Sequence, residues 1–173
     1  MGARGIYVAQ ECHVVNLIPP ASYSTTQTSA LFSMKGWEHA TIIIQQGSAG
    51  TPPVITLESS DNGSPANTTA IPFNLHKCET AYNAHNGDVL GPRIAVTSAG
   101  FTPAADNDVF YVIELDANTL PEIELGTAPN VAPDSESWVA LVATSPTSWI
   151  ANAVVILSAG RYEHDQSETV LTF

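Results

Sequence analysis

The alternation of apolar and polar positions is clearest over residues 34–58, MKGWEHATIIIQQGSAGTPPVITLE, which reads as two strands and a connecting loop. Over residues 39–46 the chain is rich in β-branched side chains. Ala40, Ile42 and Ile44 fall on one face, and Thr41, Ile43 and Gln45 fall on the other. GSAGTPP breaks the pattern, which resumes over residues 54–58 with Ile55 and Leu57 opposed to Val54, Thr56 and Glu58. The loop is longer than a two-residue turn, so a hairpin is expected, with a crossover between two sheets as the alternative. Two strands with an apolar face do not stand alone, and the rest of the chain must cover them.

It supplies more of the same. Residues 12–18, CHVVNLI, form a first strand that Pro19-Pro20 should stop, and residues 31–34 form a short one after a Ser/Thr-rich loop. Residues 71–77 alternate Ile71, Phe73 and Leu75 against Asn74 and His76. Residues 89–97 contain Pro92, which demotes them to an edge or a bulge. Over residues 108–116, Val109, Tyr111, Ile113 and Leu115 share one face. Residues 137–144 and 151–158 are apolar on both faces, as for central strands covered twice or for strands against a second subunit. No stretch carries a sustained helical period. About eight or nine short strands with turn signals between them predict an all-β fold, an antiparallel two-sheet β-sandwich, jelly-roll-like or immunoglobulin-like. The expected division is an N-terminal arm at 1–11, the β-sandwich domain at 12–163 and a C-terminal tail at 164–173. The arm carries Ile6, Tyr7 and Val8 with no local partner, which points to docking on a neighbouring chain.

Composition narrows the function. The 173 residues are 44% hydrophobic, enough for the core of one domain, and only 13% charged. Seventeen acidic residues against five basic ones give a formal net charge of −12. The bases Arg4, Lys35, Lys77, Arg93 and Arg161 are scattered, so nucleic acid is not an expected partner. No run of apolar residues is long enough for a membrane span, and the N-terminus lacks the pattern of an export signal. Without that signal Cys12 and Cys78 read as thiols, not as a disulfide, and the sequon Asn67-Thr68-Thr69 has no meaning.

Chemistry is sparse. The chain has none of the common phosphate-binding, dinucleotide, metalloprotease, nucleophile-elbow or dithiol motifs. Cys12-His13 and His76-Lys77-Cys78 could make a zinc site if their strands were neighbours, yet adjacent strand residues point to opposite faces, which favours ordinary strand positions. Asp61-Asn62-Gly63 and Asp106-Asn107-Asp108 resemble pieces of calcium loops and read better as turns. Glu163, His164 and Asp165 are consecutive in the tail and read as solvated. Trp37, Trp138 and Trp149 could stack on sugars if exposed, with packing over the sandwich ends the favoured alternative. Trp149, directly after SPTS, is the one placed near a loop tip. No catalytic, cofactor or metal residue is therefore expected. The interaction candidates are Ile6, Tyr7, Val8 and Trp149.

Several segments in order, VNLIPP, FSMKGWEHATIIIQQGSAG, PVITLESSDN, DVLGPR, NDVFYVIELDANTL and NAVVILSAGRYE, resemble a group of small tailed-bacteriophage proteins encoded among virion structural genes. These are fold-forming segments, so the resemblance carries over no functional residues. It implies a capsid decoration (cement) protein, not an enzyme. Such a protein is a virion component on the outer surface of the major capsid protein shell, a dimer or trimer that stabilises the head. A head-completion or tail component and a carbohydrate-binding attachment sandwich are the alternatives. An excess of acid would be repelled by packaged genome, which places the protein outside the shell or in the tail.

Overall fold

The computed structural model describes residues 8–60, 68–79, 89–105, 108–120, 138–160 and 170–171. After one helical turn, α1 (Val8–Glu11), come β1 (His13–Tyr23), β2 (Gln27–Thr28), β3 (Leu31–Ser33), β4 (Trp37–Ser48) and β5 (Val54–Ser60). They are followed by β6 (Thr68–Ile71), β7 (Phe73–Cys78), β8 (Ile94–Val96) and β9 (Val109–Asp116), then β10 (Trp138–Thr144), β11 (Trp149–Gly160) and β12 (Val170–Leu171). One sheet has the order β1-β11-β4-β9-β7-β8 and the other β12-β3-β10-β5-β6, with β2 also on β10. All pairings are antiparallel. The strands β1, β3, β4 and β5 run against β11, β10, β9 and β6 in turn. The chain is thus one long hairpin rolled into two sheets, a jelly roll, with β7 and β8 added at one edge.

The hairpin expected at residues 34–58 is overturned in favour of its alternative, a crossover between the sheets. Its first strand, β4, lies in one sheet between β11 and β9, and β5 lies in the other between β10 and β6. Residues 49–53 are long enough to span the roughly 10 Å between sheets, and Thr51 pairs with Thr147 on the way. The stop expected at Pro19-Pro20 is also corrected, because β1 runs through it to Tyr23. It can do so as an edge strand, where a missing N–H costs no ladder bond, and register shifts at Asn16/Ile18 and Ile18/Ala21 absorb the misfit. The single strand expected at 71–77 is two strands. Pro72 separates β6 in one sheet from β7 in the other, and Ile71 and Phe73 both reach the core from opposite sides. The stretch expected as a C-terminal tail contributes β12, paired with β3.

The faces follow the sequence pattern. Ala40, Ile42 and Ile44 of β4, Ile55 and Leu57 of β5, Tyr111 and Ile113 of β9, and Ala153, Val155 and Leu157 of β11 are fully buried between the sheets. Strand β10 is buried on both faces from Val139 to Ala143, as expected. Strand β11 is not: it alternates, and Ile150 is 48% exposed. Among the described residues, one carboxamide sits inside this apolar core, that of Gln46. Its Nε2 donates to the Ala104 carbonyl at 2.7 Å, and the Trp149 indole N–H donates to its Oε1 at 2.9 Å. The Ala104 N–H donates to the Tyr111 hydroxyl at 2.8 Å, which in turn donates to Glu79 at 3.2 Å.

Two substitutions test this packing. Ile113→Ala should cost about 2–5 kcal/mol in chemical denaturation, the range for emptying a buried branched side chain; an unchanged midpoint would mean that Ile113 is not in the core. Gly100 has φ +75 and closes a turn with its N–H on the Thr97 carbonyl at 3.0 Å. A Cβ there would lie 2.2 Å from the Ile55 carbonyl oxygen, which accepts from the Phe101 N–H. Gly100→Ala should therefore lose at least about 1–3 kcal/mol through backbone strain alone, and a melting temperature equal to the wild type's would refute that geometry.

Candidate interaction surface

The six-stranded sheet that contains β4 turns its second face outward, and the registers fix which side chains stand in line there. Nearest the N-terminal end of β1 comes the row Ser158–His39–Asp116, followed by Val14–Ile156–Thr41–Glu114–Asn74. Next comes Asn16–Val154–Ile43–Val112–His76, and then Asn152–Gln45–Phe110–Cys78, rows in which Val112 and Cys78 are buried although they lie on this face. Successive rows are about 7 Å apart, two residues along a strand.

The first end holds the chain entry. Helical turn α1 packs against β1 and β11, His13 stacks on Trp37 at 6.2 Å between centroids, and Gly160 leaves room for the Trp37 ring. Val8 is 43% exposed and Val14 52% exposed, the latter beside Ile156. Burial, helped by the charge of Glu11, pushes the Cys12 thiol pKa up and keeps it a poor nucleophile.

At the same end His39 is held between two carboxylates of β9. Its Nε2 lies 2.5 Å from Glu114 Oε2 and its Nδ1 lies 2.7 Å from Asp116 Oδ1. The Thr41 hydroxyl also donates to Glu114 at 3.0 Å. Both ring nitrogens can donate only if the imidazole carries both protons, so the arrangement is built for the cation. Burial lowers the His39 pKa, but the hydrogen bonds to Asp116 and Glu114 and their charges outweigh it, and the net shift is upward. The two nitrogens face different carboxylates, which is the geometry of an ion cluster; among the described residues no group of three such side chains is placed to hold one metal ion.

The other end of the face, where β1 finishes and β4 bulges at Gly47, is a groove of about 740 Å³. Its walls come from Pro20, Ser22, Gln45, Asp108, Phe110, Ile150 and Asn152. The sheet edges are poor templates for strand addition. Strand β1 carries two prolines, β8 has three residues, β6 four and β12 two.

The interaction candidates from sequence fare unequally. Ile6 and Tyr7 lie outside the described residues, and Val8 opens α1 at the surface. Trp149 is corrected: it is fully buried on Gln46 and tilted against Tyr23 at 6.1 Å, so it cannot touch a partner. Its position beside a turn suggested exposure, but as the first residue of β11 it points inward. Cys12-His13 and His76–Cys78 are not brought together, since β11, β4 and β9 separate their strands. The calcium-like fragments Asp61-Asn62-Gly63 and Asp106-Asn107 and the cluster Glu163, His164 and Asp165 lie outside the described residues. What sequence reading missed is the His39 cluster and the Asn152–Gln45–Phe110 row. The outward spacing of Glu114 and Asp116, and of His39 and Thr41, was visible, but only the register pairs them.

No protein-family model matches this sequence, and the search of curated proteins gives no match. A solved structure with a similar trace is that of SPBc2 prophage-derived protein YomS, at 11% sequence identity and a TM-score of 0.44, covering 85% of this chain and 95% of that one. A likeness of this size assigns no function.

The His39 cluster predicts a pH dependence. Its pKa is raised in the folded state, so its contribution to stability is complete below the ordinary value of 6.5 and is lost as pH rises through the higher folded value. The melting temperature should fall as pH rises from about 6 to 9. His39→Gln should flatten that slope, and a slope identical in the two proteins would show that the cluster does not titrate as described.

Proposed function

We propose that this protein is a structural component of a tailed-phage virion, a decoration protein that binds the outer surface of the major capsid protein shell. The observation that carries the reading is the apolar end of the outward sheet face, where Val14 stands exposed beside Ile156 and the chain enters through Val8. Exposed apolar side chains at the root of an arm suit docking on a preformed lattice, and a contact of ordinary size would bury about 800 Å² on each partner. Blunted edges suit the same role, because a protein concentrated on a shell must not extend its sheets into its neighbours. The net charge of −12 favours the side of the shell away from packaged genome. Assembly as a dimer or trimer belongs to this reading. So does a purely mechanical action: a ligand that binds only the assembled shell stabilises it by mass action.

The test uses shells assembled without the protein. Purified protein should co-sediment with them to saturation, at a copy number that matches the shell lattice and not a single vertex. Decorated shells should break at a higher temperature than bare ones. Removing residues 1–11, or changing Val14→Asp, should weaken co-sedimentation while the far-ultraviolet spectrum stays β-dominated. Bare and decorated shells of equal robustness would remove the decoration reading.

A further inference from the structure

The groove at the far end of the outward face has a different chemistry from the apolar patch. Val14 and Ser22 of β1 pair with Ile156 and Ile150 of β11, six residues apart on that strand, so the two ends of the face are separated by roughly 20 Å. Its central row crosses three neighbouring strands: Asn152 of β11 faces Gln45 of β4, which faces Phe110 of β9. Asp108 and Ser22 stand at the rim, and Pro20 and Ile150 complete the walls.

The dent itself has a local cause. The β4–β11 register slips between Ile150 and Ala151, and Gly47 lies at that slip. Its carbonyl accepts the Asp108 N–H at 3.0 Å, which ties the start of β9 to the groove floor. A Cβ on Gly47 would come 3.2 Å from Ile150 Cγ2, so any larger residue there must push that side chain aside by a few tenths of an ångström.

Three properties select a ligand. The side chains of Gln45 and Asn152 make no hydrogen bond to another described residue, so two carboxamides, each able to donate and to accept, face the groove with their capacity unused. An apolar occupant would strip water from them and return nothing. Among the described lining residues none is basic, Asp108 is acidic, and the chain as a whole is strongly negative, which disfavours phosphates, nucleic acid and anionic polymers. Next to the amides lies the ring of Phe110, a flat apolar surface. A molecule that presents adjacent hydroxyls on its edge, C–H groups on its face and no charge satisfies all three. The depression, about 740 Å³, is an open groove, which accepts a polymer along its length.

We infer that this groove is a binding site for an uncharged polysaccharide. Phe110 packs on the C–H face of a sugar ring, Asn152 and Gln45 bond to neighbouring hydroxyls, and Asp108 accepts from a further hydroxyl at the rim. The site is independent of the shell contact and would let a particle carrying this protein hold to a neutral glycan surface.

The experiment is amide NMR of the full chain, labelled with ¹⁵N, titrated with the hexasaccharides of glucose, mannose, galactose and N-acetylglucosamine, and with hyaluronan as the charged counterpart. At least one neutral hexasaccharide should give saturable shifts centred on Gly47, Phe110 and Asn152, with hyaluronan giving none there. Asn152→Ala, an outward change that leaves the core intact, should weaken that binding about tenfold or more, the loss of one or two good hydrogen bonds. Phe110→Ala should do at least as much, and its spectrum reports directly on whether it has folded. If no neutral sugar moves the groove signals, if both variants bind as the wild type does, or if hyaluronan binds equally well, the inference is wrong. Co-sedimentation of Asn152→Ala with bare shells should match the wild type. Failure of the wild type to bind shells, with sugar binding intact, would refute the decoration reading and leave this one standing.

Discussion

The pairing of β4 with β11 is the constraint on which the rest of the structure depends. It runs from Trp37 opposite Gly160 to Ser48 opposite Ile150, and both strands are central in their sheet. Because side chains alternate, fixing this one register decides at once that Ala40, Ile42, Ile44, Ala153, Val155 and Leu157 go inward. A slip of one residue would turn that whole set to solvent. The partners on either side, β1 and β9, inherit their registers from it. The two strands are separated by about a hundred residues of chain, so the ladder forms only after a long loop has closed, and such topologies are slow to fold.

The ladder is not uniform, and its one irregularity has consequences on both sides of the sheet. At Gly47 the outward face drops into a groove. One residue earlier, on the inward side, Gln46 carries a carboxamide into the core and binds Trp149 and the 101–105 segment through it. A buried amide costs desolvation unless its bonds are made, and here both its oxygen and its nitrogen are used. Hydrophobic contacts are non-directional, whereas these bonds admit one position for the Trp149 indole and one for the Ala104 carbonyl. The polar network gives a unique end to a sandwich that apolar packing alone would leave adjustable.

The outward face has two characters at its two ends. One end combines exposed valines with a cluster in which His39, when protonated, neutralises part of the charge of Glu114 and Asp116. Local neutralisation matters in a chain with a charge of −12, because an unscreened carboxylate pair beside an apolar patch would oppose desolvation by any partner. The other end keeps amides, a ring and one carboxylate around a depression. Apolar docking and polar recognition are thus separated along the strands, within one sheet, by rows of residues about 7 Å apart.

The sequence by itself determined the strand-rich character of the chain and the inward face of its most regular strands. Period-two alternation at 39–46 and 108–116 is a local property of side chains on a pleated strand, and it set Ile42, Ile44, Tyr111 and Ile113, all buried in the core, on the inward faces without knowledge of any neighbour. It also gave the sandwich class, since short strands with turns between them bury their apolar faces only against one another. Tertiary structure alone decided which strands pair. Alternation is the same whether the next strand lies beside or across, so β4 and β5 looked like a hairpin and Ile71 and Phe73 like one strand. Prolines 19 and 20 looked like a stop because edge position is not written in the chain. Trp149 looked exposed because a turn precedes it, while its direction was set by the β4–β11 register and the amide of Gln46. The surface sites were illegible for the same reason: His39 meets Glu114 and Asp116 about 75 residues away, and Asn152, Gln45 and Phe110 become one row only when three distant strands lie side by side.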